Sequence, residues 1–333
     1  KQTLALVVAG LFATPFAAQA DDINLVVYGK IRAGVEYVDN GTDNQGRVVS
    51  NASRLGFKGE ETITEGLKGI WQIEGSVEAD GDDQAKLNSR NTFVGLQGGF
   101  GKVLVGQNDT PYKLNEAYIN PISDTLADNT AIFGKGAGQK FRTRQNSTVQ
   151  YYSPSLGGFE FALGAASSNE VINDQKDSLR LSGSLAYKTK AFYVGLGLEN
   201  RNEVTVNEDA NAVRLVVGAT FGPIKAGVGV EQIDYNNTKR QNFTTALEYN
   251  IGEKFKLAGT YTYGKTKDVS GDKARQISFG GFYDITKRTQ VQAYVSQIAN
   301  GVASKVDFGT NPVTGVANDK NPIGFGIAVN HTF

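Results

Sequence analysis

A chain of 333 residues with 34 basic and 34 acidic side chains is balanced in charge, which indicates neither a nucleic-acid-binding surface nor an acidic solvating tail. It contains no cysteine and no methionine, so disulfide bonds and thiolate metal sites are excluded. The 40 glycines and 14 tyrosines suit strands that bend tightly and lie at a polar boundary. No cofactor is expected.

The first element is an apolar run, LALVVAGLFATPFAAQA, which follows Lys1. A basic start, a short apolar centre and a closing Ala18-Gln19-Ala20 are typical of a secretory signal peptide. We therefore expect residues 1–20 to be cleaved and residues 21–333 to form a single domain. An anchor helix is the alternative, but the run is short and ends in small residues.

After the signal, apolar residues alternate with polar or small ones at a period of two, which predicts β-strands. Leu179–Tyr187 and Val213–Phe221 show this pattern. Seven short and eight long connections alternate along the chain, and fifteen connections join sixteen strands. The long ones are predicted at 39–47, 79–88, 107–141, 167–178, 200–211, 233–241, 265–275 and 299–321.

Two environments produce such alternation: a soluble sandwich with an apolar core, or a membrane barrel with lipid outside and water inside. The apolar faces carry small residues such as Gly29, Gly183 and Ala219, and the opposite faces are charged on strand after strand. Aromatic residues collect at strand ends, as in an interfacial girdle. These features predict an all-β fold: a closed, 16-stranded antiparallel transmembrane β-barrel, whose interior is too wide for side chains to fill.

Several blocks of sequence carry a resemblance to a known family. They are YGKIRAGVE (28–36), SRLGFKGEE (53–61), GLKGIWQIE (66–74), SRNTFVGLQGGFGKVLVGQ (89–107), NSTVQYYSP (146–154), YDITKRT (283–289) and the terminal HTF. In order and over the whole mature chain, they resemble the trimeric general-diffusion porins of Gram-negative bacteria, of the type in Neisseria and other beta-proteobacteria. The resemblance implies an outer-membrane homotrimer that contacts lipid and lipopolysaccharide and passes ions and small hydrophilic solutes, with no enzymatic activity.

The resemblance also implies a constriction, in which the third long loop, about 107–141, folds inward opposite a basic wall. The alternation supplies the basic residues on the lumen face: Lys30, Arg32, Arg54, Lys58, Arg90, Arg142 and Arg144. The loop supplies the acidic ones: Asp109, Glu116, Asp124 and Asp128. The closing aromatic residue, Phe333, resembles the terminal signal that the outer-membrane assembly machinery recognises.

The sequence departs from the family at Leu104 and Gln107, where relatives often carry arginine, so we expect only a mild anion preference. A solute-specific channel, for sugars or other nutrients, would need a track of aromatic side chains along the lumen. The inward aromatics Tyr28, Tyr152, Tyr193, Phe282 and Tyr294 are scattered. A non-conducting surface adhesin or antigen is the third possibility.

Overall fold

The computed structural model describes residues 24–81, 89–136, 139–168, 178–205 and 208–333. The predicted signal peptide, residues 1–20, lies outside the described residues. In the described part, antiparallel strands dominate, and no helix there is long and apolar enough to cross a bilayer.

Sixteen barrel strands are formed by the described residues, and they are numbered here in chain order. They are β1 (Asn24–Asp39), β2 in two segments (Asn44–Ser50 and Arg54–Thr64), β3 (Leu67–Ser76), β4 (Thr92–Gly98), β5 (Gly101–Asp109), β6 (Arg144–Tyr152), β7 (Phe159–Ser168), β8 (Ser178–Lys188), β9 (Phe192–Thr205), β10 (Glu208–Phe221), β11 (Ile224–Tyr235), β12 (Thr238–Ile251), β13 (Phe255–Thr266), β14 (Lys273–Asp284), β15 (Thr289–Asn300) and β16 (Ile323–Thr332).

Each strand pairs antiparallel with its neighbours in the chain, and β16 returns to pair with β1. The closing register places Tyr37 opposite Phe325. On its other side, β1 pairs with both segments of β2, Lys30 opposite Arg54 and Ala33 opposite Ser50. A closed sheet leaves no edge strand exposed. The predicted 16-stranded antiparallel barrel is confirmed.

The connections differ from the prediction where strands were expected to stop. The predicted loops at 200–211 and 233–241 are mostly strand, and β11 joins β12 through Asn236 and Asn237 alone. Both asparagines have positive φ, 45° and 59°, as a two-residue type I′ hairpin turn requires. The prediction failed there because polar residues occupy both faces of these segments, so the sequence shows no apolar–polar alternation.

The two faces of the wall have the polarity of a membrane barrel. Ile277 and Phe279 on β14 are 44% and 60% exposed, whereas Gln276 and Ser278, which alternate with them, are fully buried. Apolar side chains on the other strands are similarly exposed on the outside. So large an apolar surface is stable only against lipid.

Inside the barrel, buried apolar side chains lie where loops pack on the wall. One such cluster joins Ile122 and Leu126 from the β5–β6 connection, Phe308 from the β15–β16 connection, and Phe282 and Ile298 from the wall. The interior core is therefore built by loops rather than by the sheet alone.

Candidate channel constriction

The β5–β6 connection, residues 110–143 and hereafter the third loop, packs on the inner face of the wall. Asn129 Nδ2 donates to Thr244 Oγ1 on β12 at 3.3 Å, and Gln276 Nε2 on β14 donates to the carbonyl oxygen of Asp128 at 3.1 Å. Thr244 and Gln276 are inward-facing and fully buried. These contacts lie on the side of the wall that faces away from lipid.

Three predicted basic residues on β1 and β2 lie together opposite Asp124 of the third loop. Lys30 Nζ is 3.1 Å and Arg32 Nη1 is 3.9 Å from Asp124 Oδ2. Arg32 also donates to the carbonyl oxygen of Ser123 at 2.9 Å. Arg54, cross-strand from Lys30, makes no ion pair within the described residues. Burial raises the pKa of the Asp124 carboxyl, but Lys30 and Arg32 outweigh it and lower the pKa below its usual value.

A second group of charges continues the basic surface along β3 to β6. Arg90 pairs with Glu74. Arg144 Nη2 lies 3.0 Å from Asp109 Oδ1, and Lys113 Nζ of the third loop lies 2.7 Å from the same oxygen. Asp109 is therefore shared between two cations, and it belongs to the end of β5 rather than to the loop.

Basic side chains outnumber acidic ones in these two groups, among the residues that the structure describes. The six basic residues are Lys30, Arg32, Arg54, Arg90, Lys113 and Arg144, and the three acidic residues are Glu74, Asp109 and Asp124. The surface consequently has a positive potential, which favours anions.

Arg142 was predicted on the basic wall, and this placement is wrong. Because β6 begins at Arg144, Arg142 belongs to the third loop, where it pairs with Glu116 and lies 3.5 Å from Asp128. Asp128 accepts from the backbone N–H of Thr130 at 2.8 Å and so caps the short 3₁₀ turn Asn129–Ala131. Asp128 thus stabilises the loop internally, in contrast to its predicted role of facing the basic wall. Glu116 also lies 3.1 Å from Arg214 Nη1 on β10, so it faces the wall opposite the predicted basic residues.

Lys58 and Phe333 belong to neither of the two groups of charges described above. Lys58 is four residues beyond Arg54 along β2, with its ammonium 5.2 Å from the centre of the Tyr28 ring. Phe333 donates its backbone N–H to the carbonyl oxygen of Gly29 at 3.1 Å and is 47% exposed.

The opposite inner wall holds charges that the sequence analysis missed. Arg201, Arg214 and Arg240, on β9, β10 and β12, are all buried, and Arg214 Nη2 lies 2.7 Å from Glu231 Oε1. The period-two pattern could have placed Arg214 on the lumen face, because Val213 and Leu215 flank it and face lipid. The predicted basic wall comprised residues of the first six strands only.

Three of the five inward aromatic side chains are buried, and only Tyr28 and Tyr152 are partly exposed. Tyr193, Phe282 and Tyr294 are 6%, 7% and 4% exposed, and Tyr294 donates to Glu36 at 3.0 Å. Buried rings of this kind cannot stack on a passing solute. The geometry therefore favours charge, rather than aromatic stacking, as the selecting property.

A closed transmembrane barrel with a polar, charged interior and a loop packed inside it defines a membrane channel protein. The chain belongs to the Gram-negative porin family, whose model matches residues 4–302. The resemblance noted from the sequence blocks is thereby confirmed, and the protein is an outer-membrane channel rather than an enzyme.

Individual relatives agree with this assignment. The chain is 31% identical over 327 residues to the major outer membrane protein P.IB of Neisseria meningitidis serogroup B, covering 90% of this chain and 94% of that protein. Its fold is similar to that of an anion-selective porin from Comamonas acidovorans, with a TM-score of 0.83, 22% identity and coverage of 94% and 100%. It is also similar to the trimer form of OmpT of Vibrio cholerae, with a TM-score of 0.69, 16% identity and coverage of 94% and 100%.

Proposed function

We propose that this porin, a water-filled channel for passive diffusion of ions and small hydrophilic solutes, passes anions somewhat more readily than cations. The observation that carries the preference is the excess of basic over acidic side chains in the two groups described above, in which Arg54 has no ion-pair partner within the described residues. A similar fold belongs to a porin described as anion-selective, which supports the same direction here.

The expected preference is mild because acidic side chains neutralise part of the basic surface. Two unit charges about 4 Å apart interact by about 1 kcal/mol in bulk water. At physiological salt, screening weakens interactions beyond about 8 Å. A severalfold bias toward anions is therefore the expected size.

Planar-bilayer recording of the purified protein tests this function. We expect large, unsaturated conductance and a reversal potential, in a salt gradient, whose sign reports anion preference. Clear cation preference would contradict the proposed selectivity. Current blocked by a particular nutrient would instead support the solute-specific alternative, and absence of conductance would support the adhesin.

We also propose that three copies assemble side by side, with lipid and lipopolysaccharide around the trimer. A transmembrane strand needs about 9–11 residues, whereas β4 has 7 residues and β12 has 14. A neighbouring copy against the short strand β4 would cover the face that lipid fits poorly. The trimer form of a similar porin supports this assembly. Gel electrophoresis with and without heating tests it, since a single monomer band in both lanes would contradict it.

We further propose that the signal peptide is removed before Asp21. N-terminal sequencing of protein extracted from the outer membrane tests the position, and a mature chain that retains residues 1–20 would contradict it.

A further inference from the structure

Glycines on the inner face of β9 to β11 lie directly beneath the third loop. A Cβ atom added to Gly218 or Gly227 would lie 2.6 or 2.7 Å from Tyr118 Cβ, and one added to Gly195 would lie 2.7 Å from Asn115 Cγ. None of these three glycines has positive φ, so their backbone conformation is open to any residue. Glycine is required here for space. The loop lies closer to the wall than any side chain would allow.

Beside these glycines, Arg214 connects the wall to three separate points of the loop. Its guanidinium carbon lies 4.3 Å from the centre of the Tyr112 ring and 4.7 Å from that of Phe133. Its Nη1 lies 3.1 Å from Glu116 Oε1, and its side chain is fully buried. Cation–π contacts of this kind strengthen when water is excluded. One wall residue thus contacts the beginning of the loop, at Tyr112 and Glu116, and its later part, at Phe133.

Glu231 on β11 completes the attachment. Its Oε1 accepts from Arg214 and from the hydroxyl of Tyr112. Its Oε2 accepts from the backbone N–H of Gly134 at 2.7 Å and from Asn242 Nδ2 at 2.8 Å. Glu231 has no exposed side-chain surface. Because a buried charge is unfavourable without its partner, the arginine, the carboxylate and the loop depend on one another.

We infer that this loop seat, defined as Gly195, Gly218, Gly227, Arg214 and Glu231, is the device that positions the third loop and so sets the width of the pore. The inference rests on the proposed channel function. The seat holds the loop against β9 to β11, on the far side of the barrel from Arg54 and Arg90. Another point of the same loop, Asp124, contacts Lys30 and Arg32 on β1. A loop released from the seat would be held at that contact alone, and the width of the opening would change.

Single-channel recording on folded variants tests the seat. Gly218→Val pushes Tyr118 away. Its matched control is Gly183→Val on β8, where an added Cβ makes only ordinary contacts, 3.6 Å from Leu163 Cδ2 and 3.9 Å from the Ala162 carbonyl oxygen. We expect Gly218→Val to broaden the distribution of single-channel conductance and to make closures severalfold more frequent, with the control like wild type. An unchanged distribution in folded Gly218→Val protein, even with reduced thermal stability, would overturn the inference.

A second variant removes both charges of the loop seat, so that no buried carboxylate is left unpaired at position 231. Arg214→Met combined with Glu231→Gln should give the same broadened conductance. The chain has no cysteine, so Asn115→Cys with Gly195→Cys introduces a unique pair at loop and wall. When the cysteine pair is added to the Arg214→Met, Glu231→Gln variant, its oxidation to a disulfide should restore wild-type conductance, and reduction should abolish this restoration.

Failure of oxidation to restore the conductance, with the bridge verified, would overturn the positioning role. Failure of the proposed function gives a different result, because the wild-type protein would then show no conductance at all.

Discussion

Arg54 offers the sharpest test of how this porin selects ions. It is half-buried on β2, lies cross-strand from Lys30, and makes no ion pair within the described residues. Its charge is therefore not neutralised by a direct ion pair among those residues. The change Arg54→Gln removes that charge and keeps a polar side chain of similar reach.

The size of the effect follows from distance and screening. An ion that passes about 5 Å from the guanidinium interacts with it by about 0.8 kcal/mol in bulk water. A Debye length near 8 Å reduces this to about 0.4 kcal/mol. Loss of the charge changes the energies of a passing anion and a passing cation in opposite directions, so their difference changes by about 0.9 kcal/mol. The anion-to-cation permeability ratio should therefore fall about fourfold.

Reversal potentials in a salt gradient measure this ratio directly. The matched control is Arg288→Gln, which changes net charge equally but lies exposed in the turn between β14 and β15. We expect no change in that control. An Arg54→Gln ratio within experimental error of wild type, or an equal change in the control, would refute the local electrostatic argument.

Three further predictions concern the loops and the last residue. Burial and the neighbouring Lys140 lower the pKa of Lys135 to about 8, so the unfolded chain binds more protons between pH 8 and 10. The free energy of unfolding should therefore rise over that range by at most about 1.4 kcal/mol per pH unit; the thermal midpoint measured in detergent should rise with it, and Lys135→Met should flatten the rise. Gly309→Val should raise the conductance by separating the β15–β16 connection from the third loop, since an added Cβ would lie 2.6 Å from the backbone nitrogen of residue 131. In the control Gly46→Val, an added Cβ would have no atom within 4 Å, and its conductance should match wild type in the same recordings. Phe333→Ala should lower the yield of heat-modifiable protein in the outer membrane, and equal yield would show that the aromatic ring is dispensable.

Much of the fold was predictable because the alternation is a local property of the chain. Leu181 and Leu185 had to share one face of a strand and Arg180 the other, whatever the strand's neighbours. Strand number followed from counting turns. Strand length did not, because polar residues occupy both faces of the hairpin through Asn236 and Asn237, so the local alternation does not show where β11 and β12 end.

The constriction was predictable only in part. Alternation placed Lys30, Arg32 and Arg54 on the lumen face, and the structure brings Lys30 and Arg32 to Asp124. It did not place Arg142, because the role of that residue depends on where β6 begins. A shift of two residues at that boundary separates a wall position from a loop position.

By itself, then, the sequence determined which side of each strand meets lipid, because every side chain alternates with its neighbours regardless of distant contacts. Only the tertiary structure decided what covers the inner wall. Tyr112 and Arg214 are 102 positions apart in the chain, and no local pattern records that one ring lies over the other's guanidinium. Burial of Arg214 arises from a loop that crosses the barrel, and a contact between such distant segments exists only once the sheet has closed.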